Sequence, residues 1–437
     1  MKPNRFAGIS RQEATQRYTG WLTKRMPRHA GGAVVPLLPH PTPWHYFQQC
    51  YHRWLQLWLD KAGELHDVTV LPSVGNLSVD NFGTWRDAEG RLCWGVYELD
   101  EACRLPWTQD IVRLATSAVL ALEALGQPYS RENVCELILE GYLRGLSAAG
   151  KPLILESRHA ELRIIVTAQL RSSAEFWAQL KNLPDVQSPL LGSLKKALLR
   201  RLPDTEADIR VVVPPPSHSG HFRVIALLDH QGGWMAREAK ATPPSALSWL
   251  TGKREPESLA RELNRNAVRS VDPRYYPGKR WRVRRLSPDC GPMPVEALRS
   301  LGFIPVLLES MGIEAANLHL GSRKARGLRE EVLRLPAQWL LHAVNLFTSL
   351  IQEDWENEKH ASPLEASSSE ASSSEAAPET ETPGQQGIEA APASVKRSKK
   401  QRNADPQDSQ EASSASKRSK KQRDAAPEDR TNKKASS

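Results

Sequence analysis

From Ala361 to Ser437 the chain contains no Trp, Tyr, Phe, Met or Cys, and its large aliphatic residues there are Leu364, Ile388 and Val395. A segment so poor in apolar side chains cannot bury enough surface to offset the entropy lost on ordering. Whatever this chain folds into is therefore built from the residues before Ala361, and residues 361–437 are expected to be a disordered tail. The tail has two halves. Ala361–Val395 is rich in Ser, Glu, Ala and Pro and carries only acidic charge. Lys396–Ser437 is basic overall and holds the heptapeptide KRSKKQR twice, at Lys396–Arg402 and Lys417–Arg423. Such clusters suit nucleic acid bound non-specifically and with steep salt dependence.

The remaining charge sharpens the expectation of a partner. The formal charge of the chain is +9. The tail is nearly neutral, so most of the excess lies in the body. A basic body favours anionic partners: nucleotides, nucleic acid or acidic surfaces. No stretch approaches the ~20 apolar residues of a membrane helix, and the N-terminal residues lack the apolar core of a secretory signal. Cys50, Cys93, Cys103, Cys135 and Cys290 are odd in number, scattered, and contain no C-x-x-C pair, which argues against a disulfide framework or a zinc site. A reduced, cytoplasmic setting is the expectation.

Periodicity predicts a helix over Pro43–Asp60, with Trp44, Phe47, Tyr51, Trp54, Leu55 and Trp58 on its apolar side. Strands are predicted at Asp67–Leu71 and Arg91–Leu99. Thr108 and Ser130 are candidate N-caps for helices to about Leu125 and Leu146. Further helices are expected near Ser172–Lys181 and Ser193–Arg201. Pro214, Pro215 and Pro216 interrupt regular structure. Phe222–Leu228 and Trp234–Ala239, around Gln231-Gly232-Gly233, read as a hairpin. Arg280–Leu286 alternates like a strand, and helices follow at Pro294–Met311 and Glu330–Glu358. The expected class is α+β: a helix-rich lobe over residues 1–205, a β-rich lobe over 206–290, and helices over 291–360.

The most informative segment is Gly75-Asn76-Leu77-Ser78-Val79-Asp80-Asn81-Phe82-Gly83. Tyr97-Glu98-Leu99-Asp100-Glu101 and then Leu105-Pro106-Trp107-Thr108-Gln109-Asp110-Ile111-Val112-Arg113-Leu114 come after it. This order resembles the core of aminoglycoside-phosphotransferase-like kinases, in which Gly-Asp-x-x-x-x-Asn precedes an acidic strand end. It resembles more closely a bacterial family catalogued as domain of unknown function 2252, whose core reads Gly-Asp-x-His-x-x-Asn-Phe-Gly, Asp-Phe-Asp-Glu and Trp-Asp-x-x-Arg-Leu. Gly220, Arg237-Glu238-Ala239-Lys240, Arg284-Arg285-Leu286-Ser287 and Ala316-Asn317-Leu318-His319 fall in that family's later order, so the resemblance spans about Pro43 to Leu341. It implies a kinase-like bilobal fold with permuted lobe order, because Lys240 comes after the catalytic loop instead of before it. It also implies ATP and Mg²⁺ as cofactors. Asn81 with Glu98 or Asp100 would hold the metal, and Lys240, Gly220 and Arg284 would meet phosphate.

The departures from that pattern matter as much. Asn76 stands where the family has its catalytic Asp, and an amide cannot accept a proton at neutral pH. Ser78 replaces the family's His, Glu98 replaces an Asp, and Ser217-His218-Ser219-Gly220 keeps one glycine of a Gly-rich loop. Asp80 is the substitute base. The expectation is a degenerate site that binds a nucleotide or another phosphorylated ligand, or serves as a scaffold. Two alternatives are an active ATP-dependent phosphotransferase and a nucleic-acid-associated protein acting through its basic body and tail.

Each of these residues also has a plainer role. Lys240 could be a solvated strand-edge residue, and Asp110 could stabilise a helix N-terminus. Asp100 and Glu101 could form a turn. His319 and the three tryptophans read as core. Tyr275-Tyr276 and the run Lys279–Arg285 read as a strand with one wet, charged face, with a phosphate-facing Arg as the functional variant.

Overall fold

The Trp-rich segment forms two helices where periodicity predicts one. In this computed structural model, α1 spans Arg11–Thr23, α2 spans Pro43–Gln49 and α3 spans Tyr51–Lys61. The break falls at Cys50, whose φ of −100° and ψ of 45° leave the helical region. In a continuous helix the Phe47 carbonyl would accept from Tyr51. Here it accepts from the Arg113 guanidinium at 3.4 Å. The break wraps Phe47, Tyr51 and Trp54 round that one cation, with ring centroids 4.0, 4.7 and 5.0 Å from it. The structure describes residues 6, 8–25, 40–186, 197–198, 201–202, 209–215, 221–254, 256, 259–278 and 281–370.

The chain continues through β1 (Val70–Ser73), β2 (Phe82–Arg86), β3 (Leu92–Val96), β4 (Cys103–Pro106), α4 (Trp107–Ala124), α5 (Arg131–Ser147), α6 (Ala160–Thr167) and α7 (Ser173–Lys181). Ser130 and Ser172 cap α5 and α7 as their positions predict, accepting from the Asn133 and Glu175 amides. Thr108 is not a cap. The helix begins one residue earlier, and the Thr108 hydroxyl donates to the Leu65 carbonyl at 2.7 Å. Next come β5 (Ile209–Val212), β6 (Arg223–His230), β7 (Gly233–Ala241), α8 (Ala246–Thr251), α9 (Leu259–Asn266), β8 (Tyr276–Pro277), β9 (Trp281–Leu286) and β10 (Gly291–Pro292). The β6–β7 turn has positive φ at Gln231 (54°) and Gly232 (79°), the geometry a two-residue hairpin prefers.

The class is α+β. A two-stranded ladder pairs β1 with β4, a three-stranded sheet runs β10-β2-β3, and a five-stranded antiparallel sheet runs β5-β6-β7-β9-β8. α10 (Ile304–Leu320), α11 (Leu328–Arg334) and α12 (Trp339–Glu370) complete the order. The expected helix at Pro294–Met311 opens instead as 3₁₀ turns at Val295–Arg299 and Leu301–Phe303. α10 starts at Ile304, with Pro305 in its first turn, where the missing N–H costs nothing. Pro336 separates α11 from α12, which divides the predicted Glu330–Glu358 helix. α12 then runs through Ala361–Glu370, into the segment assigned to the tail; a nucleated helix extends at little further cost. The rest of the tail, the expected Ser193–Arg201 helix except Ala197, Leu198 and Arg201, and the Ser217–Gly220 loop lie outside the described residues.

One large core joins α2, α3, α4, α5 and α10, with Trp44, Trp54 and Trp58 inside it as periodicity indicates. The described residues belong to a compact unit over Met1–Ser374. Among them, no helix is long and apolar enough to cross a membrane. All five cysteines are buried, and none forms a disulfide.

Candidate functional site

Strand alternation builds the first wall of the site. In the five-stranded sheet, Lys240 on β7 lies opposite Arg223 on β6 and Arg282 on β9, and Glu238 lies opposite Arg284. These charged side chains share one face. Val224, Ala226, Ala239, Ala241, Trp281 and Val283 occupy the other, packed with Leu198, Leu202 and Phe222. β7 is an interior strand, so Lys240 is not at an edge. It is 2% exposed, and Arg282 and Arg284 are 3% and 4% exposed, so the predicted wet face is dry.

A dry cationic face needs carboxylates, and the segment after β3 supplies them. Lys240 Nζ lies 3.0 Å from Glu98 Oε2 and 2.7 Å from Asp100 Oδ2. Arg282 Nη2 donates to Asp100 Oδ2 at 2.9 Å, and its other terminal nitrogen also contacts Asp100. Arg284 Nη2 lies 2.7 Å from Glu238 Oε1 and 3.5 Å from Glu98 Oε1, with its guanidinium over the Tyr97 ring. Arg223 Nη1 is 3.5 Å from Glu238 Oε2. Burial raises the Glu98 carboxyl, but Lys240, Arg282 and Arg284 together outweigh it and hold the group well below the usual carboxylate range. His221, 3.8 Å from Asp100, is pushed down to about 3 by burial and by Lys240, so it is neutral. Arg223, Lys240, Arg282 and Arg284 thus face Glu98, Asp100 and Glu238, and the network keeps one positive charge.

The second wall is the loop between β1 and β2. Asp110, in the first turn of α4, accepts from the Val74 and Gly75 amides at 2.8 and 2.9 Å. It is braced by His319 Nε2 at 3.2 Å, whose Nδ1 meets the Tyr142 hydroxyl at 2.8 Å. His319 is therefore the packed core histidine its surroundings suggest. Asp110 does more than serve its own helix: it fixes the loop that carries Asn76. Gly75 has φ +78°, and a Cβ there would meet the Glu101 carbonyl at 2.4 Å, so the turn requires glycine.

Arg113 Nε donates to Asn76 Oδ1 at 2.9 Å. Asn81 Oδ1 accepts from the Ser78 amide at 2.8 Å and from its hydroxyl at 3.0 Å. The Asp80 carboxylate is held by the Ser78 hydroxyl and by Gln48 Nε2, the latter at 2.8 Å. Glu101 turns away from this site: its Oε2 accepts from the Ala246 amide at 2.7 Å, and burial pushes it up to about 7.

Between the walls lies a cleft of about 1000 Å³. Asn76, Asp80, Asn81, Glu98, Lys240 and Arg284 all line it, although Asn76 and Arg284 are far apart in sequence. Asp100 sits behind Lys240 and Arg282. Gly220 lies outside the described residues. Apolar side chains, among them Phe176, Leu180, Ile225 and Leu286, line another part of the cleft.

This donor set suits an anion better than Mg²⁺. Glu98 and Asp100 spend their oxygens on protein cations, and Asn81 spends its oxygen on Ser78. Mg²⁺ demands a near-ideal octahedron of oxygens. Among the described residues, no three His, Cys, Asp or Glu side chains gather as a metal site.

Sequence reasoning missed Arg113, Arg223 and Arg282 as site residues. Arg282 was detectable, since it stands two residues from Arg284 and so shares its face. Arg113 lies inside the quoted Trp-x-x-x-x-x-Arg-Leu run, with no local sign of its partner.

Residues 51–218 match the model of a family described as an uncharacterized protein conserved in bacteria (DUF2252). No curated protein and no solved structure matches the chain.

Proposed function

We propose that this chain is a kinase-like protein with permuted lobe order that has kept a phosphate-binding cleft and lost phosphoryl transfer. On this reading it binds a nucleotide or another phosphorylated small molecule without Mg²⁺. The observation that carries it is the single positive charge left over in the network around Lys240, on the wall of a cleft large enough for such a ligand.

The chemistry of each wall supports the same reading. Lys240 is oriented by two carboxylates and keeps a third N–H. Arg223, a quarter exposed, offers its guanidinium from the same sheet face. A phosphate would bind along that wall, while hydroxyl or amine groups of the ligand would face Asp80 and the Asn76 amide. The apolar side chains would take its flat or aliphatic part. Among the described residues, the Asn76 oxygen serves Arg113, and the Asp80 carboxylate is engaged by Ser78 and Gln48, which supports a reading without proton abstraction.

Thermal unfolding with ATP, ADP and sugar phosphates, each with Mg²⁺ and with EDTA, tests this. The expected result is stabilisation by at least one phosphorylated ligand that is equal in Mg²⁺ and EDTA, reduced about tenfold in affinity by Arg223→Ala, and without phosphate release. The binding reading fails if no phosphorylated ligand raises the melting temperature at millimolar concentration. Mg²⁺-dependent turnover would instead favour an active phosphotransferase.

A further inference from the structure

The charged face of the five-stranded sheet does not stay charged along its length. On β6, Arg223 is followed on the same side by Ile225, and on β9, Arg282 and Arg284 are followed by Leu286. Phe176 and Leu180 of α7, with Leu183 just beyond it, pack with Ile225 and Leu286 in one apolar cluster. All five line the same cleft as Lys240 and Arg223. From Arg282, opposite Lys240, to Leu286 the strand runs about 13 Å. One continuous wall therefore has a cationic end and an apolar end.

The apolar end suits an aliphatic chain better than a nucleobase. A buried base carries ring nitrogens and exocyclic groups that need hydrogen-bond partners. Pro214, Pro215, Pro288, Pro292 and Pro294 line the cleft, and a proline has no N–H to offer. Nearby amides of Val213, Cys290 and Met293 already donate to the carbonyls of Pro184, Ser287 and Phe82, at 2.9, 3.0 and 2.8 Å. The polar side chains that line the cleft around α7, Arg171, Gln179 and Asn182, are exposed, and Arg171 donates to Gln179 at 2.9 Å. Methylene groups need no partner and are stabilised by leaving water.

We propose that the ligand of this cleft is a phosphomonoester of a single aliphatic chain. Its phosphate would lie against Lys240 and Arg223, and its chain would run over Ile225 and Leu286 beneath Phe176 and Leu180. The 13 Å of strand matches an extended chain of roughly ten carbons. This rests on the phosphate-binding reading of the cleft and narrows its ligand class.

Isothermal titration of the whole chain in EDTA tests it, with butyl, hexyl, octyl and decyl phosphate below their micellar concentrations, and with AMP and octanol. One site per chain is expected, with affinity rising about threefold per methylene and decyl phosphate binding at least about tenfold more tightly than AMP. Leu286→Gln should flatten the rise with chain length and leave butyl phosphate within about twofold. Arg223→Ala should weaken every alkyl phosphate by the same factor of about ten. Phosphomonoester affinity that does not grow with chain length, or AMP binding more tightly than decyl phosphate, would overturn the aliphatic ligand and leave the phosphate reading standing. Octanol binding as tightly as octyl phosphate, or no binding of any phosphorylated compound, would overturn both. The chain-length series needs no variant, so it decides even if Leu286→Gln folds poorly.

Discussion

Arg113 donates to Asn76 Oδ1 through both Nε and Nη2, the Nε bond at 2.9 Å, while three aromatic rings enclose its guanidinium. A buried cation is thus paired with a neutral amide. Burial pushes Arg113 down to about 9, although Tyr51, Asp80, Glu101 and Asp110 pull it back up. A carboxylate at position 76 would be its natural partner.

Asn76→Asp is therefore expected to stabilise the protein by about 1–3 kcal/mol, the worth of a hydrogen bond to a charged group. Urea unfolding at neutral pH measures this. The same substitution should not create phosphotransfer, because Arg113 would hold the new carboxylate ionised and engaged. A lower denaturation midpoint would show that the pairing is not favourable.

Lys240→Ala should cost about 3 kcal/mol or more, since it leaves Glu98 and Asp100 short of a buried cation. Lys240→Arg should recover part of that loss by keeping the charge. If Lys240→Ala unfolds at the wild-type denaturant concentration, Lys240 is not the hub of the network.

Glu101 gives a pH dependence of definite sign. Its folded pKa, about 7, lies above the ordinary carboxylate value of 4.5, so the folded state prefers the protonated form. The stability this group contributes is complete below about pH 4.5 and is lost as pH rises through 7. Glu101→Gln keeps an acceptor for the Ala246 amide and removes the titration. It should stabilise the protein at pH 8 by up to about 3 kcal/mol relative to wild type, with little gain at pH 4. Parallel stability curves across this range would count against it.

Gly75→Ala should destabilise the chain by about 1–3 kcal/mol from its backbone conformation alone. The steric approach to the Glu101 carbonyl adds to that. Circular dichroism melts give the comparison. A neutral effect would mean that the Asp110-clamped turn is not as rigid as its two amide bonds imply.

The helix caps Ser130 and Ser172, the Gln231-Gly232 turn and the aromatic stripe of α2 and α3 were legible from sequence because each is decided within a few residues. The prolines at positions 305 and 336 are equally local signals, and each marks a helix boundary that periodicity alone runs past. The Cys50 break was not legible. Its cause, a guanidinium contributed from α4, lies more than sixty residues away.

The site divides in the same way. Sequence alone determined that Asn76, Ser78, Asp80 and Asn81 follow one strand, that Glu98 and Asp100 fall at the end of another, and that Glu238 with Lys240, like Arg282 with Arg284, point to the same side of their own strand, because side chains alternate along a strand. It could not decide what those faces meet. Only the tertiary structure brought Lys240 to Glu98 and Asp100 and dried Arg282 and Arg284, and it gave Asn76 to Arg113. The reason is physical. A strand pattern states which side chains point together, but whether a charge is solvated, paired or free for a ligand depends on the partners that distant segments supply when the chain packs.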